Sequence, residues 1–356
     1  HGERFGPFDG VLAAASILEN LCQRFPGESV LSAGRLEAFG TCPFTFFAKE
    51  LLGLKATEEP SPDLGPLEVG LIYHGLLERF FSALAASKTA GGRLTAEGRE
   101  EALRLLDRTA DAYFKHLEAY GRVGSAALWK VQKQNILRDV RRLVDWHIQN
   151  LSGWRAAYTE VPFGATGPGP VKPPGRREPI ALDGPHGPVR LRGRIDRIDL
   201  ALGDEPGYQV IDYKSGGGPT PKDMAAGTSF QLPVYLWAAE ALLEAAERGD
   251  PARAFFLPIR DPKKRAMLST NATKKHPEGS AGPALERAAE YIRRFIDAMR
   301  RGLYPVYPRT ECPGHCEFQE ICRFAEWRIQ RKWEAHPLRE LEPIRDEADE
   351  GEEDEG

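Results

Sequence analysis

The 356-residue sequence predicts an α/β fold, with a mixed sheet of four to five strands flanked by helices behind a helical N-terminal region. Three observations lead there. Two strings in the middle of the chain, residues 193–197 and 210–214, alternate apolar and polar side chains with the period of a β-strand. Stretches on either side carry apolar residues at helical spacing instead. The order is helices, then strands, then helices, with no internal repeat, which suits a layered α/β core.

Taken in order, Ile17–Cys22 is an apolar stretch in which Cys22 reads as a small buried hydrophobe. Ser32 reads as an N-cap before residues 34–39, with Gly40 ending that turn. Pro43 suits the first position of a helical string running to Leu51. Residues 67–84, 97–120 and 131–151 are helical patterns. Strands are expected at 157–163, 180–183, 189–200, 208–214 and 252–258, with a helix over 229–246 before the last of them. Helices over 281–301 and 318–333 close the chain, and 164–177 and 216–222 read as loops.

Apolar residues make up 41% of the chain, enough for a sizeable core, and no apolar run is long enough to span a membrane. No secretory signal is visible, and a cytoplasmic location is expected. The opening His1–Arg4 has no initiator Met and reads as part of a longer polypeptide. Residues 1–30 are expected to be an extension from a preceding domain, 31–335 the main domain, and 336–356 a tail. The formal charge of −4 divides unevenly: residues 341–356 hold nine acidic side chains and one Arg, so the rest is about +4. Such an acidic block is disordered by composition, and the mildly basic body is compatible with a polyanionic partner.

Residues 202–207 have the composition of a turn. A hairpin centred on Asp204 places Asp196 directly opposite Asp212, with Cβ atoms about 5 Å apart. Two carboxylates that close repel unless something positive lies between them. A divalent cation is the simplest solution, and Mg²⁺ (or Mn²⁺) is commonly held by one or two carboxylates plus a substrate phosphate. Lys214, one strand step beyond Asp212, then stands where it can stabilise charge developing on a phosphate or position a water. Alternation also predicts that Arg192, Arg194 and Asp196 share one face, with Val189, Leu191 and Ile195 on the other. A surface hairpin with ordinary charges is the competing reading.

Of five cysteines, Cys312, Cys316 and Cys322 form a Cys-x(3)-Cys-x(5)-Cys triplet. Three thiols so close, without a secretory signal, point to a metal or cluster site rather than to disulfides. Cys42, before Pro43 at a helix N-terminus, is the candidate fourth ligand. Four thiolates suit an iron–sulfur cluster or Zn²⁺, and His315 inside the triplet keeps the zinc alternative open. His74 lies in a helical pattern, where a lone His commonly just packs. Gln231 and Tyr235 are four apart on one helix face just after the Gly-rich loop. No phosphate-binding Gly-x(4)-Gly-Lys-Ser/Thr loop and no Ser-nucleophile elbow occur.

With these strings in hand, the chain resembles the PD-(D/E)xK nucleases of the RecB type, most closely the C-terminal nuclease region of the AddB family. The likeness runs in order through Leu31–Ala33 and Cys42–Phe44, Gly70–His74, Gly193–Asp199, Ile211–Lys214, Gln231–Tyr235 and the Cys triplet, over about residues 30–330. It implies a restriction-endonuclease-like core with an iron–sulfur staple. It implies that His74, Asp196, Asp212 and the backbone carbonyl of Tyr213 hold a metal and that Lys214 is catalytic. Gln231 and Tyr235 would lie beside the site and touch DNA, and Cys42, Cys312, Cys316 and Cys322 would hold a [4Fe–4S] cluster. The family's usual triplet is Cys-x(2)-Cys-x(5)-Cys, one residue shorter than the triplet here. The implied activity is metal-dependent hydrolysis of single-stranded DNA ends in double-strand break repair, with an AddA-like helicase–nuclease subunit as partner. A stand-alone iron–sulfur exonuclease of the CRISPR-adaptation type and a non-catalytic DNA-binding scaffold are the alternative readings.

Overall fold

The computed structural model describes residues 5–25, 29–55, 63–121, 123–249, 252–273 and 276–306, and then residues 312, 316–322, 325, 327, 331–332 and 335–339. The N-terminal part is helical: α1 (Ala15–Gln23), a short strand β1 (Val30–Leu31), α2 (Ala33–Thr41), α3 (Pro43–Phe46) continuing into a π-helical turn, then α4 (Pro66–Ala86), α5 (Arg99–Ala119) and α6 (Ala126–Asn150). Strands β2 (Trp154–Phe163), β3 (Ile180–Leu182), β4 (Val189–Leu191), β5 (Gly193–Ala201) and β6 (Tyr208–Lys214) follow. Then come α7 (Pro221–Ala225), α8 (Gln231–Leu242), β7 (Ala252–Pro258), β8 (Arg265–Ser269), α9 (Ala281–Arg300) and α10 (Gln319–Cys322). No helix among the described residues is long and apolar enough to cross a membrane.

The main sheet has the order β2-β5-β6-β7-β8, with β6 and β7 parallel and the other neighbours antiparallel. A parallel pair needs a crossover, and α7 and α8 supply it. Because β6 and β7 are covered on both faces, they are buried along most of their length, and the period of two sorts their apolar side chains into two cores. Val210, Ala254 and Phe256 join the core under α2, α8 and α9, whereas Ile211, Tyr213, Phe255 and Leu257 join the core under α4, α5 and α6. The α4 helix buries Val69, Ile72, Tyr73, Leu76, Leu77, Phe80, Phe81 and Leu84; of the apolar residues whose spacing marks this helix, Leu76, Phe80, Phe81 and Leu84 face inward, whereas Leu67 and Leu71 are exposed. Its start is set by Pro66 and by Glu68, whose carboxylate accepts the Gly65 N–H at 2.8 Å. Ser32 caps α2 as expected, its Oγ accepting from Arg35 N at 3.4 Å.

Some elements differ from expectation. The single strand expected over 189–200 is broken at Arg192, whose N–H bonds to Leu31 O at 2.8 Å. β4 thereby joins a separate three-stranded sheet, β1-β4-β3, and β5 joins the main one. β1, β8, α1 and α7 have no counterpart among the elements expected. Strand β8 does alternate, burying Ala266 and Leu268, and it forms the far edge of the main sheet. The 229–246 helix is shorter, α8 ending at Leu242. Of the closing helix over 318–333, α10 is described, and much of the remainder lies outside the described residues, as do His315 and residues 340–356 of the tail. Cys22 is exposed, not buried. Leu21 and Phe25 take the inward positions of that turn, and Cys22 is left on the outside, its Sγ 3.8 Å from Arg300 O. Leu21 and Phe25, within the segment expected as an extension, pack in the same core as Phe39 and Phe46.

Candidate active site

The site forms where β5 and β6 part. Their pairs Arg197–Ile211, Ile198–Val210, Asp199–Gln209 and Leu200–Tyr208 have the register that a turn centred on Asp204 dictates. The ladder ends one residue short of Asp196 and Asp212, because the Asp196 carboxylate itself accepts the Tyr213 N–H, at 2.9 Å. On its other side β5 pairs with β2, and the pairs Thr159–Arg197 and Val161–Ile195 bracket Glu160 and Asp196. Glu160 has φ 49°, in the left-handed region that a side chain normally avoids. Alternation breaks there: Ile195 and Ile198, three apart, both face the same core, contrary to a strict period of two. The strain sits at a point where two strands turn carboxylates towards one another.

His74 reaches the same point from α4, its Nδ1 3.3 Å from Asp196 Oδ2. One ligand atom each from His74, Glu160 and Asp196 lie within 4.8 Å of one another. An imidazole nitrogen among hard carboxylate oxygens is a donor set that suits Mg²⁺ or Mn²⁺. Asp212 is buried beside them, and its Oδ2 lies 2.6 Å from Lys214 Nζ. Lys214 also donates to Gln231 Oε1 at the start of α8 and lies over the Phe256 ring, 4.9 Å from its centre. Tyr235, one turn further along α8, is buried.

The electrostatics follow from crowding acids in a poorly solvated place. Burial and then the charge of Asp196 raise the Asp212 carboxyl to about 7, with Lys214 offsetting only part of this. Burial and Asp196 likewise raise Glu160 to about 7, against the pull of Arg194, 2.8 Å away, and of His74. Burial opposes protonation of His74, but Asp196, Asp212 and Glu160 outweigh it and its pKa is raised. Burial and the charges of Asp212, Asp196, Glu37 and Glu160 push the Tyr235 phenol well above its ordinary value, so it remains a donor.

All three groups with raised values at the carboxylate point bind protons more tightly folded than unfolded. Metal-free protein is therefore expected to lose stability as pH rises from about 4 towards 7 and above, and divalent-cation affinity is expected to rise over the same window as protons are displaced. Melting in EDTA and titration calorimetry with Mg²⁺ or Mn²⁺ across that range check both signs. Opposite slopes would refute the assignment.

Two supports have no signature in the sequence. Glu37 of α2 is half-buried against the start of α8, and its Oε1 accepts N–H groups from Phe230 at 2.8 Å and Gln231 at 3.3 Å. It thereby holds Gln231, which holds Lys214. Gly40, one turn on, permits this approach, since a Cβ there would lie 1.9 Å from Gly227 O. Glu37→Ala leaves two N–H groups without their acceptor and is expected to lower turnover about a hundredfold through misplacement of Lys214. Metal affinity should be unchanged and Glu37→Gln should restore most of the rate. The second support is Arg197 beneath the site, ion-paired to Asp199 with both side chains buried. Arg197 also donates to Tyr213 Oη at 2.9 Å, so it braces the residue between Asp212 and Lys214. Glu160 itself is a third residue that sequence reasoning misses. Its one signal there is a carboxylate, the single acid of its strand, set among Tyr158, Val161 and Phe163.

At the opposite end of α2, Cys42 precedes α3, and α10 ends at Cys322. The Cys312 thiol is raised by burial and then by the neighbouring thiols of Cys316, Cys322 and Cys42, and it is hydrogen-bonded to Cys316. The triplet and the distant fourth cysteine thus lie close enough to interact, although among the described residues no three of their sulfurs lie within 4.8 Å of one another.

A mixed five-stranded sheet between helical layers, with acidic groups and a lysine at the point where two central strands part, defines a nuclease of the restriction-endonuclease-like fold. The chain belongs to the PD-(D/E)XK nuclease superfamily, whose family model matches residues 30–323. It is similar to the B subunit of the ATP-dependent helicase/deoxyribonuclease of Moorella thermoacetica, 32% identical over 288 residues, which are 78% of this chain and 22% of that protein. The corresponding protein of Symbiobacterium thermophilum is 34% identical over 247 residues, 65% of this chain and 20% of that protein. That of Desulforudis audaxviator is 31% identical over 246 residues, 65% of this chain and 19% of that protein. The chain therefore spans about a fifth of the length of the curated relatives it matches.

Proposed function

We propose that this chain is a metal-dependent deoxyribonuclease module that hydrolyses phosphodiester bonds of single-stranded DNA ends during double-strand break repair and recombination. The observation that carries the reading is the convergence of His74, Glu160, Asp196 and Asp212 with Lys214 where β5 and β6 part. The superfamily and the relatives' name as deoxyribonuclease subunits support it. An AddA-like helicase–nuclease subunit in the cytoplasm is the corresponding partner, with residues 31–335 as the nuclease domain.

His74, Asp196, Asp212 and the Tyr213 carbonyl would hold Mg²⁺ or Mn²⁺, with Glu160 adding a fourth side chain. When bound, the cation supplies positive charge against the scissile phosphate and eases deprotonation of a water. Lys214, fixed by Gln231, holds a second positive charge where the phosphate gains negative charge. Tyr235 keeps its proton and can donate to a phosphate oxygen, while Gln231 orients the lysine. No covalent enzyme intermediate is required. Incubation of a labelled single-stranded oligonucleotide with the protein in Mg²⁺, in Mn²⁺ and in EDTA tests the reading, and the absence of metal-dependent degradation would overturn it.

Cys42, Cys312, Cys316 and Cys322 would hold a [4Fe–4S] cluster, with Zn²⁺ the alternative that metal analysis separates. Either group would tie the segment after α2 to the end of the domain. Cross-linking residues this far apart restricts the unfolded chain by roughly 4–5 kcal/mol on the loop-closure scale. Cys42→Ala is therefore expected to release the metal, to lose visible absorbance in the cluster case and to lower the melting temperature. Cys22→Ala, on the exposed side of α1, should do none of this, and the reverse pattern would refute the ligand set.

A further inference from the structure

Apart from the carboxylate site, three guanidinium groups share one polar hollow. Arg24 at the end of α1, Arg35 in the first turn of α2 and Arg192 between β4 and β5 line a cavity of about 480 Å³ together with Asn20, Gln23 and Ser29. The carboxylate that faces them is Glu50, 2.8 Å from Arg35 Nε, and among the described residues Arg24 and Arg192 have no ion pair. Among the described residues, three cations against one anion leave a surplus of about two positive charges in a concave place, an arrangement that favours a polyanion. Ordinary roles do not account for it. The C-terminal carbonyls of α1, which would attract a cation such as Arg24, are taken by Arg300, whose Nη1 donates to Cys22 O at 2.6 Å and to Phe25 O. Arg35 is anchored by a bond from its Nη1 to Val30 O at 3.1 Å, so its position is set before any ligand arrives. Burial, and then Arg24 and Arg192 against the pull of Glu50, lower its pKa, as expected for like charges held together.

The hollow is also close to the carboxylates along the chain. Arg192 is four residues before Asp196, and an extended chain of that length reaches at most about 14 Å. Between them Arg194 is exposed and ion-paired to Glu160. At roughly 3.4 Å of helix axis per nucleotide of a strand, that reach is a few nucleotides at most. Guanidinium forks match phosphate oxygens two at a time, which lysines do not.

We infer that the Arg24–Arg35–Arg192 hollow is a backbone-phosphate site that holds a nucleic-acid strand a few nucleotides away from the bond cut at Asp196 and Asp212. It rests on the nuclease reading of those two residues. The test is binding by the full chain in EDTA of a fluorescent oligothymidylate of about twelve nucleotides, across about 50–200 mM salt, with dTMP as a second probe. Arg24→Gln and Arg192→Gln are compared with the wild type and with Arg104→Gln on the outer face of α5, after melting shows that all are folded. Each hollow variant is expected to bind the oligonucleotide about threefold to tenfold more weakly, with a salt slope smaller by about 0.7 per lost contact, and Arg104→Gln to match the wild type. Wild-type slopes in both hollow variants overturn the inference. So does a loss confined to dTMP, which would make the hollow a mononucleotide site. If the slopes stay wild type while the wild type cleaves DNA, the hollow falls and the nuclease reading stands. An arginine-dependent slope in a protein that never cleaves supports the hollow and overturns the nuclease reading alone.

Discussion

Replacing Asp212 by alanine is expected to lower Mg²⁺-dependent DNA cleavage by about a thousandfold or more while leaving the fold in place. Metal-ion catalysis supplies several kcal/mol of transition-state stabilisation, and each 1.4 kcal/mol or so is a factor of ten in rate. Asp212 is one of the carboxylates that would hold the ion, and it also pairs with Lys214. Its removal strikes the cation and the lysine together. Stability should move little or rise in metal-free protein. Asp212 is buried and its carboxyl is pushed up to about 7 by burial and by Asp196, so ionising it costs free energy in the folded state. Lys214 keeps Gln231 as a partner in its absence. Cleavage rates in Mg²⁺ and melting in EDTA, measured on the same preparation, check both halves. Activity within tenfold of wild type would remove Asp212 from the site.

Arg197→Ala is expected to have the largest effect on stability, about 3–5 kcal/mol, because it strands Asp199 as an unpaired charge in the core. A domain has about 5–15 kcal/mol in total. Arg197 donates to both Asp199 oxygens, at 2.7 Å through Nη2, and Gln209 Nε2 meets the same carboxylate at 2.8 Å. Arg253 then holds the Gln209 carbonyl at 2.7 and 2.9 Å. The guanidinium carbon stacks 3.8 Å from the centre of the Phe81 ring. His147 beneath it is kept neutral by burial and by the charge of Arg197, which leaves Nε2 able to accept from Arg197 at 3.2 Å. The double variant Arg197→Met, Asp199→Leu should therefore lose much less than the sum of the single losses. Additive losses in denaturant unfolding would show that the two charges do not depend on one another.

The parts of the fold readable from the sequence are those fixed by local pattern. The register of β5 on β6 follows from turn composition and the period of two, and the inward positions of α4 from Leu76 to Leu84 follow from helical spacing, though Leu67 and Leu71 of the same pattern are exposed. What escapes depends on partners far away in sequence. Glu160 looks like an ordinary polar residue of β2 until β5 sets it opposite Asp196. Glu37 is a single acid in an apolar helix until α8 presents two N–H groups to it. Strict alternation fails between Ile195 and Ile198, beside the left-handed Glu160, and no residue preference announces either irregularity. Cys22 reads as buried because composition favours that for a free thiol, whereas the helical phase set by Leu21 and Phe25 turns it outward.

The bond between Glu37 and the start of α8 spans 193 residues. On the ribosome, Glu37, His74, Glu160 and Asp196 all emerge before Gln231, and Lys214, though paired with Asp212, lacks its Gln231 contact until α8 has been made and has docked on α2. Contacts between such distant parts of a chain form late in folding, after the loop between them has closed. A growing or prematurely ended chain that stops short of α8 thus carries the acids of the site without a fixed lysine. The proposed active site is therefore completed late, its lysine fixed only after every acid of the site has left the ribosome.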